Sequence, residues 1–162
     1  MNEASLEYVL KNFPGTRYYP KFKLTTWHPE GVLDAVLAGK VIEFIEWEEY
    51  IQEAPFDRYT DLSGIAEVRI AVDNIIELAR RRRIVREPVK SALFGRDRTT
   101  LEVAQSYERL MGEATMIQVR SFSNRKAAAA WLEVPETILE PAAVSGQVRQ
   151  PDSQNARYLN WE

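Results

Sequence analysis

Two polar side chains and a glycine close a short strand pattern in the middle of the chain. Asp61 and Ser63 flank Leu62, and Gly64 follows directly. Open α/β sheets bind ligands at the carboxyl ends of their strands, so a carboxylate and a hydroxyl at this point are candidate ligand contacts. Asp and Ser are also typical turn residues, because their side chains accept hydrogen bonds from nearby backbone amides. The turn is the simpler interpretation, and a ligand or partner site at Asp61, Ser63 and Gly64 is the alternative.

Few other residues are suited to nucleophilic or metal chemistry. The chain has no cysteine and a single histidine, His28. Disulfides, thiolate metal sites and a cysteine nucleophile are therefore excluded. Glycine-rich nucleotide loops, the Gly-x-Ser-x-Gly elbow and the His-Glu-x-x-His zinc helix do not occur. We expect no enzymatic activity, no metal and no cofactor, and we expect His28, next to Pro29 in a turn pattern, to be exposed.

The most conspicuous charge cluster is a run of four arginines at residues 80–83. Basic residues at a helix C-terminus interact favourably with the helix dipole, so a solvated helix end explains the run. The alternative is that Arg80 and Arg83 contact an anionic partner or an acidic helix of a second copy. The net charge is −3, whereas broad nucleic-acid binding requires a concentrated basic face, so nucleic acid is not an expected partner.

Strand and helix patterns alternate between residues 21 and 134. Residues 22–27 and 32–37 flank a turn that contains Pro29 and Gly31, and together they predict a β-hairpin. Further strands are predicted at 59–62, 89–94 and 116–122, and amphipathic helices at 41–53, 72–83, 99–111 and 124–132. The order ββαβαβαβα predicts an α/β domain with a largely parallel sheet of about five strands and about four helices.

The ends of the chain and its composition complete these expectations. We predict an N-terminal arm at residues 1–20 and a flexible tail at 135–162, which is rich in Pro, Ser, Gln and Asn. The length of 162 residues suits a single domain. No apolar run is long enough for a transmembrane helix. No secretory signal is evident at the start, so with the absence of cysteine we expect a cytoplasmic protein.

Two stretches resemble a known family. The sequence Asp-Leu-Ser-Gly at 61–64 and the sequence VRSFSNRKAAAAWL at 119–132, with the strand and helix order, resemble the SpoIIAA-like, STAS-type domains of bacteria. In many members the last strand enters a helix through an aromatic residue, a polar cap and a closing Ala-Trp-Leu, which correspond here to Phe122, Ser123 and residues 130–132. The resemblance covers residues 20–133.

The resemblance implies two kinds of function, neither of them enzymatic. Regulatory members of the family dock a protein partner and are switched by phosphorylation of a serine at the start of a helix. Lipid-transfer relatives bind an apolar molecule between the sheet and the helices. The segment that follows Gly64, residues 65–71, has no serine or threonine, so phosphorylation in the family manner is not expected. A regulatory protein-binding or self-associating domain is the first hypothesis, and a carrier of a small apolar molecule or lipid is the alternative.

Overall fold

The computed structural model describes residues 13–52, 55–82, 87–112 and 116–141. The strands in this part of the chain are β1 (Thr16–Tyr19), β2 (Leu24–Trp27), β3 (Glu30–Leu33), β4 (Asp57–Asp61), β5 (Gly64–Val68), β6 (Val89–Phe94) and β7 (Ile117–Phe122). The α-helices are α1 (Ala35–Gln52), α2 (Val72–Arg82), α3 (Arg98–Met111) and α4 (Arg125–Leu132). Short 3-10 helices lie at Pro20–Phe22 and Glu136–Leu139.

Five of the strands form one mixed sheet with the order β1-β2-β4-β6-β7. β2, β4, β6 and β7 run parallel to one another, and β1 pairs antiparallel with β2 at one edge. Parallel neighbours need a crossover connection, and helices supply it between β4, β6 and β7. The predicted α/β class, with a mostly parallel sheet of five strands and four helices, is confirmed for the described part of the chain.

The predicted hairpin between residues 22–27 and 32–37 is wrong. β2 pairs with β1, which precedes it, whereas β3 pairs in parallel with β5 in a separate two-stranded ribbon. The rest of the predicted second strand begins α1, because Asp34 Oδ1 accepts a hydrogen bond from the Leu37 amide at 2.8 Å and caps the helix. Periodicity alone does not distinguish a strand from a helix in such a short apolar run.

The two faces of the large sheet carry different layers, because successive side chains of a strand point to opposite faces. α1, α2 and α3 cover one face, which is lined by Arg58 and Thr60 of β4 and by Leu62 directly after the strand. We call this the three-helix face. α4 and the 3-10 helix at Glu136–Leu139 cover the other face, where Tyr59 belongs to a buried core with residues of β2, β6 and α4. We call this the α4 face.

Residues on both sides of the predicted 21–134 domain take part in its packing. Thr16–Tyr19, within the predicted arm, is the edge strand β1. Leu139, within the predicted tail, is fully buried in the core of the α4 face. The arm and the tail stay predictions for residues 1–12 and 142–162, which lie outside the described part. Among the described helices, none combines the length and the apolar character needed to cross a bilayer.

Candidate functional site

Asp61 is the centre of a buried polar cluster at the carboxyl end of β4. Its carboxylate is inaccessible to solvent. Oδ2 accepts hydrogen bonds from the Tyr59 hydroxyl at 3.1 Å and from Arg125 Nη2 at 2.8 Å. Oδ1 accepts from the backbone amide of Ser63 at 2.9 Å. Because the donors belong to β4, to the turn after it and to α4, the carboxylate connects three parts of the fold.

Arg125 reaches this carboxylate because it is the first residue of α4. Asn124 caps the helix through its side-chain oxygen, and not Ser123 as the family pattern implies. The guanidinium of Arg125 lies over the ring of Phe94, 5.0 Å from its centroid, and its Nε lies 3.3 Å from the Tyr59 hydroxyl oxygen. A cation over an aromatic face is attracted by the ring, so these contacts fix the orientation of the guanidinium.

Burial and pairing shift the pKa values of the cluster. Burial alone would raise the pKa of Asp61, but hydrogen bonds from Ser63 and Arg125 outweigh it and hold that pKa below the ordinary 3.8. Burial, and then the negative charge of Asp61, raise the pKa of Tyr59. Burial opposes the charge on Arg125, but its bonds to Asp61 and Tyr59 raise the pKa of the guanidinium. At neutral pH the cluster therefore holds a carboxylate, a neutral phenol and a guanidinium cation.

His28 lies beside this cluster, so the prediction that it is exposed is wrong. Its side chain is only 13% exposed, and its Nε2 lies 3.8 Å from Asp61 Oδ2 and 3.0 Å from the carbonyl oxygen of Leu139. In the tautomer that carries a proton on Nε2, the imidazole donates a hydrogen bond to this carbonyl. His28 therefore attaches the segment after α4 to the end of β2.

The residues predicted as site candidates are partly brought together. Asp61 and Ser63 are joined by the amide hydrogen bond of the turn, which is the simpler of the two interpretations. Gly64 begins β5 and pairs with Glu30 of β3. A Cβ atom on Gly64 would lie 2.8 Å from the carbonyl oxygen of Pro29, so the ribbon packs closely at this point.

The two candidate arginines are separate from this turn. Arg80 is exposed near the C-terminal end of α2, where its Nη1 lies 3.8 Å from a carboxylate oxygen of Glu77. α2 connects β5 to the beginning of β6. Its C-terminal end therefore lies near the end of the sheet where the parallel strands begin, whereas Asp61 lies where β4 finishes. Arg83 lies outside the described residues.

A cavity of about 100 Å³ lies on the three-helix face, between the sheet and the helices. Its helical walls are mostly apolar and include Ala38, Ile42, Ile75, Leu78 and Val103. The sheet supplies its floor from β2, β4 and β6. The cavity is separate from the Asp61 cluster, which occupies the α4 face of the same strands.

The floor of the cavity changes from polar to apolar along the strands. Arg58 and Thr60 lie at alternate positions of β4, and Leu62 follows at the next alternate position, just after the strand ends. On β6, Ser91 is the register partner of Arg58, and Leu93 is the partner of Thr60. The polar end therefore lies toward the beginning of the strands, and the apolar end lies toward their carboxyl ends.

Arg58 is the charged residue at the polar end. Its side chain is 6% exposed and forms an ion pair with Glu49 of α1, which is 24% exposed. Its guanidinium carbon lies 5.5 Å from the centroid of the Phe56 ring. Tyr107, from the second half of α3, lines the same cavity.

Sequence reasoning missed three residues that the structure makes important, namely Arg58, Tyr59 and Arg125. Tyr59 and Asp61 lie two residues apart on one strand, and this spacing could have placed them on one face. The same alternation could have separated Arg58 from them, on the opposite face. Arg125 carried no comparable signal, because its contact with Asp61 joins positions 64 residues apart.

Within the described residues, no group of three or more His, Asp or Glu side chains is arranged to hold a metal ion.

No protein-family model matches the chain, and no curated protein matches it either. The resemblance to STAS-type domains therefore stays a proposal.

Proposed function

We propose that this protein is a non-enzymatic, STAS-like domain that binds a small molecule with an apolar body between its sheet and helices. The observation that carries the proposal is the cavity of about 100 Å³ on the three-helix face. Native cores hold few voids larger than a water molecule. The walls of this cavity are mostly apolar and it is partly open to solvent, so an apolar molecule bound there would remove apolar surface from water.

The volume of the cavity limits how much of a molecule it encloses. An apolar cavity of roughly 150 Å³ in another protein binds benzene. The cavity here measures about 100 Å³ and is partly open to solvent, so it encloses a short aliphatic chain and leaves the rest of a longer molecule in solvent. We therefore propose the alternative hypothesis of a carrier in its small-molecule form.

The Asp61 cluster supports a non-enzymatic function. A general base or nucleophile needs a lone pair directed at a substrate. The Asp61 carboxylate instead accepts hydrogen bonds from Tyr59, Ser63 and Arg125, and it has no access to solvent. These contacts give the cluster a structural role.

Native mass spectrometry of protein purified gently from its own host tests the binding function. We expect an adduct of small mass that persists in the folded protein and is released on denaturation. The matched control is Ala38→Leu, which places a larger side chain at the cavity wall and should remove the adduct. Absence of any adduct from the wild-type protein across several mild preparations, together with no binding of added small apolar probes, would exclude this function.

A second candidate is a regulatory domain that binds a protein partner or a second copy of itself. Val36 and Val72 are 67% and 66% exposed in the first turns of α1 and α2. The two helix starts are neighbours, because the Arg69 amide donates to the Leu33 carbonyl at 2.8 Å between the strands that precede them. Large exposed aliphatic side chains on two neighbouring helix starts favour a contact surface.

Sedimentation equilibrium of the wild-type chain and of the Val36→Lys, Val72→Lys double variant tests self-association through this surface. We expect the wild-type average mass to rise with concentration and the variant to stay closer to the monomer. Identical masses for both proteins over the concentration range would exclude a second copy as the occupant of this surface.

A further inference from the structure

We propose that the cavity on the three-helix face binds a short apolar carboxylic acid in its ionised form, with the carboxylate at Arg58 and the hydrocarbon part toward the carboxyl ends of β4 and β6. This proposal rests on the binding function proposed above and adds the chemical class of the ligand and its orientation.

The orientation follows from the order of residues along the strands. At one end of the floor, Arg58 and Ser91 are register partners, and at the other end Leu62 and Leu93 are apolar. One wall follows the same order, since Val103 precedes Tyr107 on α3, which runs back toward the beginning of the strands. A ligand that matches this gradient has a polar head and an apolar body.

The charge of the head follows from the charge of the lining. Of the described residues that line the cavity, Arg58 is the only one that is charged. An ion that leaves water for a protein interior needs an opposite charge and hydrogen bonds there. The guanidinium has a planar fork of donors that matches a carboxylate, and the hydroxyls of Thr60 and Ser91 lie on the same floor. An anionic head is therefore favoured over a cationic one.

Glu49 pairs with Arg58 at this end of the cavity, and a bound carboxylate could replace it as the partner of the guanidinium. The Glu49 side chain is 24% exposed, whereas that of Arg58 is 6% exposed. Glu49 can therefore return to solvent at a lower cost than Arg58, and a carboxylate from inside the cavity can take its place on the guanidinium. Glu49 then acts as an internal competitor that keeps the buried cation paired when the ligand is absent.

The competitor model leads to a test with two probes of equal chain length, hexanoate and 1-hexanol, in NMR titrations of the full chain at pH 7. Both probes should bind the wild-type protein, and hexanoate should bind more tightly. Glu49→Gln should strengthen hexanoate binding by about tenfold, the scale of one charge-assisted hydrogen bond, and leave 1-hexanol unchanged. Arg58→Met should weaken hexanoate binding at least as much and spare 1-hexanol.

The probes separate this inference from the function on which it rests. If 1-hexanol binds as tightly as hexanoate and Glu49→Gln changes neither affinity, the carboxylate proposal is wrong and the binding function stands. If neither probe binds, the binding function itself is wrong. Glu49→Gln retains the buried arginine and decides the question even if Arg58→Met does not fold, which circular dichroism and thermal unfolding of each variant establish.

Discussion

The Asp61 carboxylate exchanges water for hydrogen bonds from Tyr59, Ser63 and Arg125 when the chain folds. A buried carboxylate is stable only if such donors replace its hydration. The pKa of Asp61, held below its ordinary value, indicates that the donors favour the ionised form in spite of burial. The residue that the sequence places at a ligand position is thus used to join β4 to α4.

Replacing this carboxylate by an amide should destabilise the protein. In Asp61→Asn the buried end of Arg125 loses its counter-charge, and one amide group cannot accept from all three donors. We expect the free energy of unfolding to fall by about 3 kcal/mol, the scale of a broken buried ion pair, in urea titrations at pH 7. The control is Glu67→Gln, since Glu67 pairs with Arg69 on the surface, where an ion pair contributes less than about 1 kcal/mol. Equal effects of the two substitutions would contradict a structural role for Asp61.

The lowered pKa of Asp61 also predicts a pH dependence of stability. The folded state binds the proton of Asp61 less readily than the unfolded state does. Its stabilising contribution is therefore fully present above the ordinary pKa of 3.8 and is lost as the pH falls through the lower pKa of the folded state. The difference in unfolding free energy between wild type and Asp61→Asn should be constant near neutral pH and should shrink below about pH 4. A difference that grows as the pH falls would mean that folding raises the pKa of Asp61, and it would contradict this prediction.

The residues of this cluster differ in how far the sequence could reveal them. Tyr59 and Asp61 share a strand face because of their spacing, which is a local signal. His28 stands next to Pro29 in a pattern typical of exposed turns. His28 is buried because Leu139, 111 residues further along the chain, lies against it, with its carbonyl oxygen 3.0 Å from Nε2 of the imidazole. Contacts of such long range depend on the whole packing arrangement and leave no local pattern.

At the scale of elements, two glycines should respond to alanine in opposite ways. A Cβ atom on Gly95, between β6 and α3, would lie 2.6 Å from Leu101 Cα, so the backbone of α3 would have to move. Gly39 lies inside α1, and among the described residues no atom apart from its chain neighbours and the backbone of its own helix lies within 4 Å of such a Cβ position. We expect Gly95→Ala to destabilise the protein by about 2 kcal/mol. Gly39→Ala should stabilise it by about 0.5–1 kcal/mol, because alanine favours the helix.

Thermal and urea unfolding of the two glycine variants measure this difference. A Gly95→Ala protein as stable as the wild type would mean that β6 and α3 are not in close contact at this residue.

The elements that the sequence did not predict are those whose state depends on a partner. Residues 64–68 form β5 because they pair with β3, and strand propensity depends strongly on such context. Residues 35–37 join α1 once Asp34 caps it. The elements with a clear period and their own boundary signals, such as α2, β6 and β7, lie within one residue of their predicted bounds.

At the scale of the molecule, the alternation of strands and helices was enough to predict an α/β sheet with helical layers, because few arrangements bury both faces of a parallel sheet. The cavity could not be predicted, since its volume depends on the separation of three helices from the sheet. Nor could its polar end, because Glu49 and Arg58 approach each other only after α1 packs against β4.

Filling the cavity should increase stability and remove binding. Ala38→Leu adds apolar volume at the cavity wall, and we expect it to raise the free energy of unfolding by about 1 kcal/mol and to prevent binding of 1-hexanol. The matched control is Ala104→Leu. Ala104 is fully buried in the same core cluster as Ala38 but does not line the cavity, so overpacking there should cost about 1–3 kcal/mol. Equal destabilisation by both substitutions in urea would mean that no usable space exists at Ala38.

Methyl NMR spectra recorded during titration with 1-hexanol test the binding function most directly. The methyl signals of Leu62, Ile75 and Leu93, which line the cavity, should shift and saturate together. Those of Leu24 and Leu132, in the core of the α4 face, should stay in place. The opposite pattern, or an absence of saturable shifts at Leu62, Ile75 and Leu93, would contradict a ligand site between the sheet and its three helices.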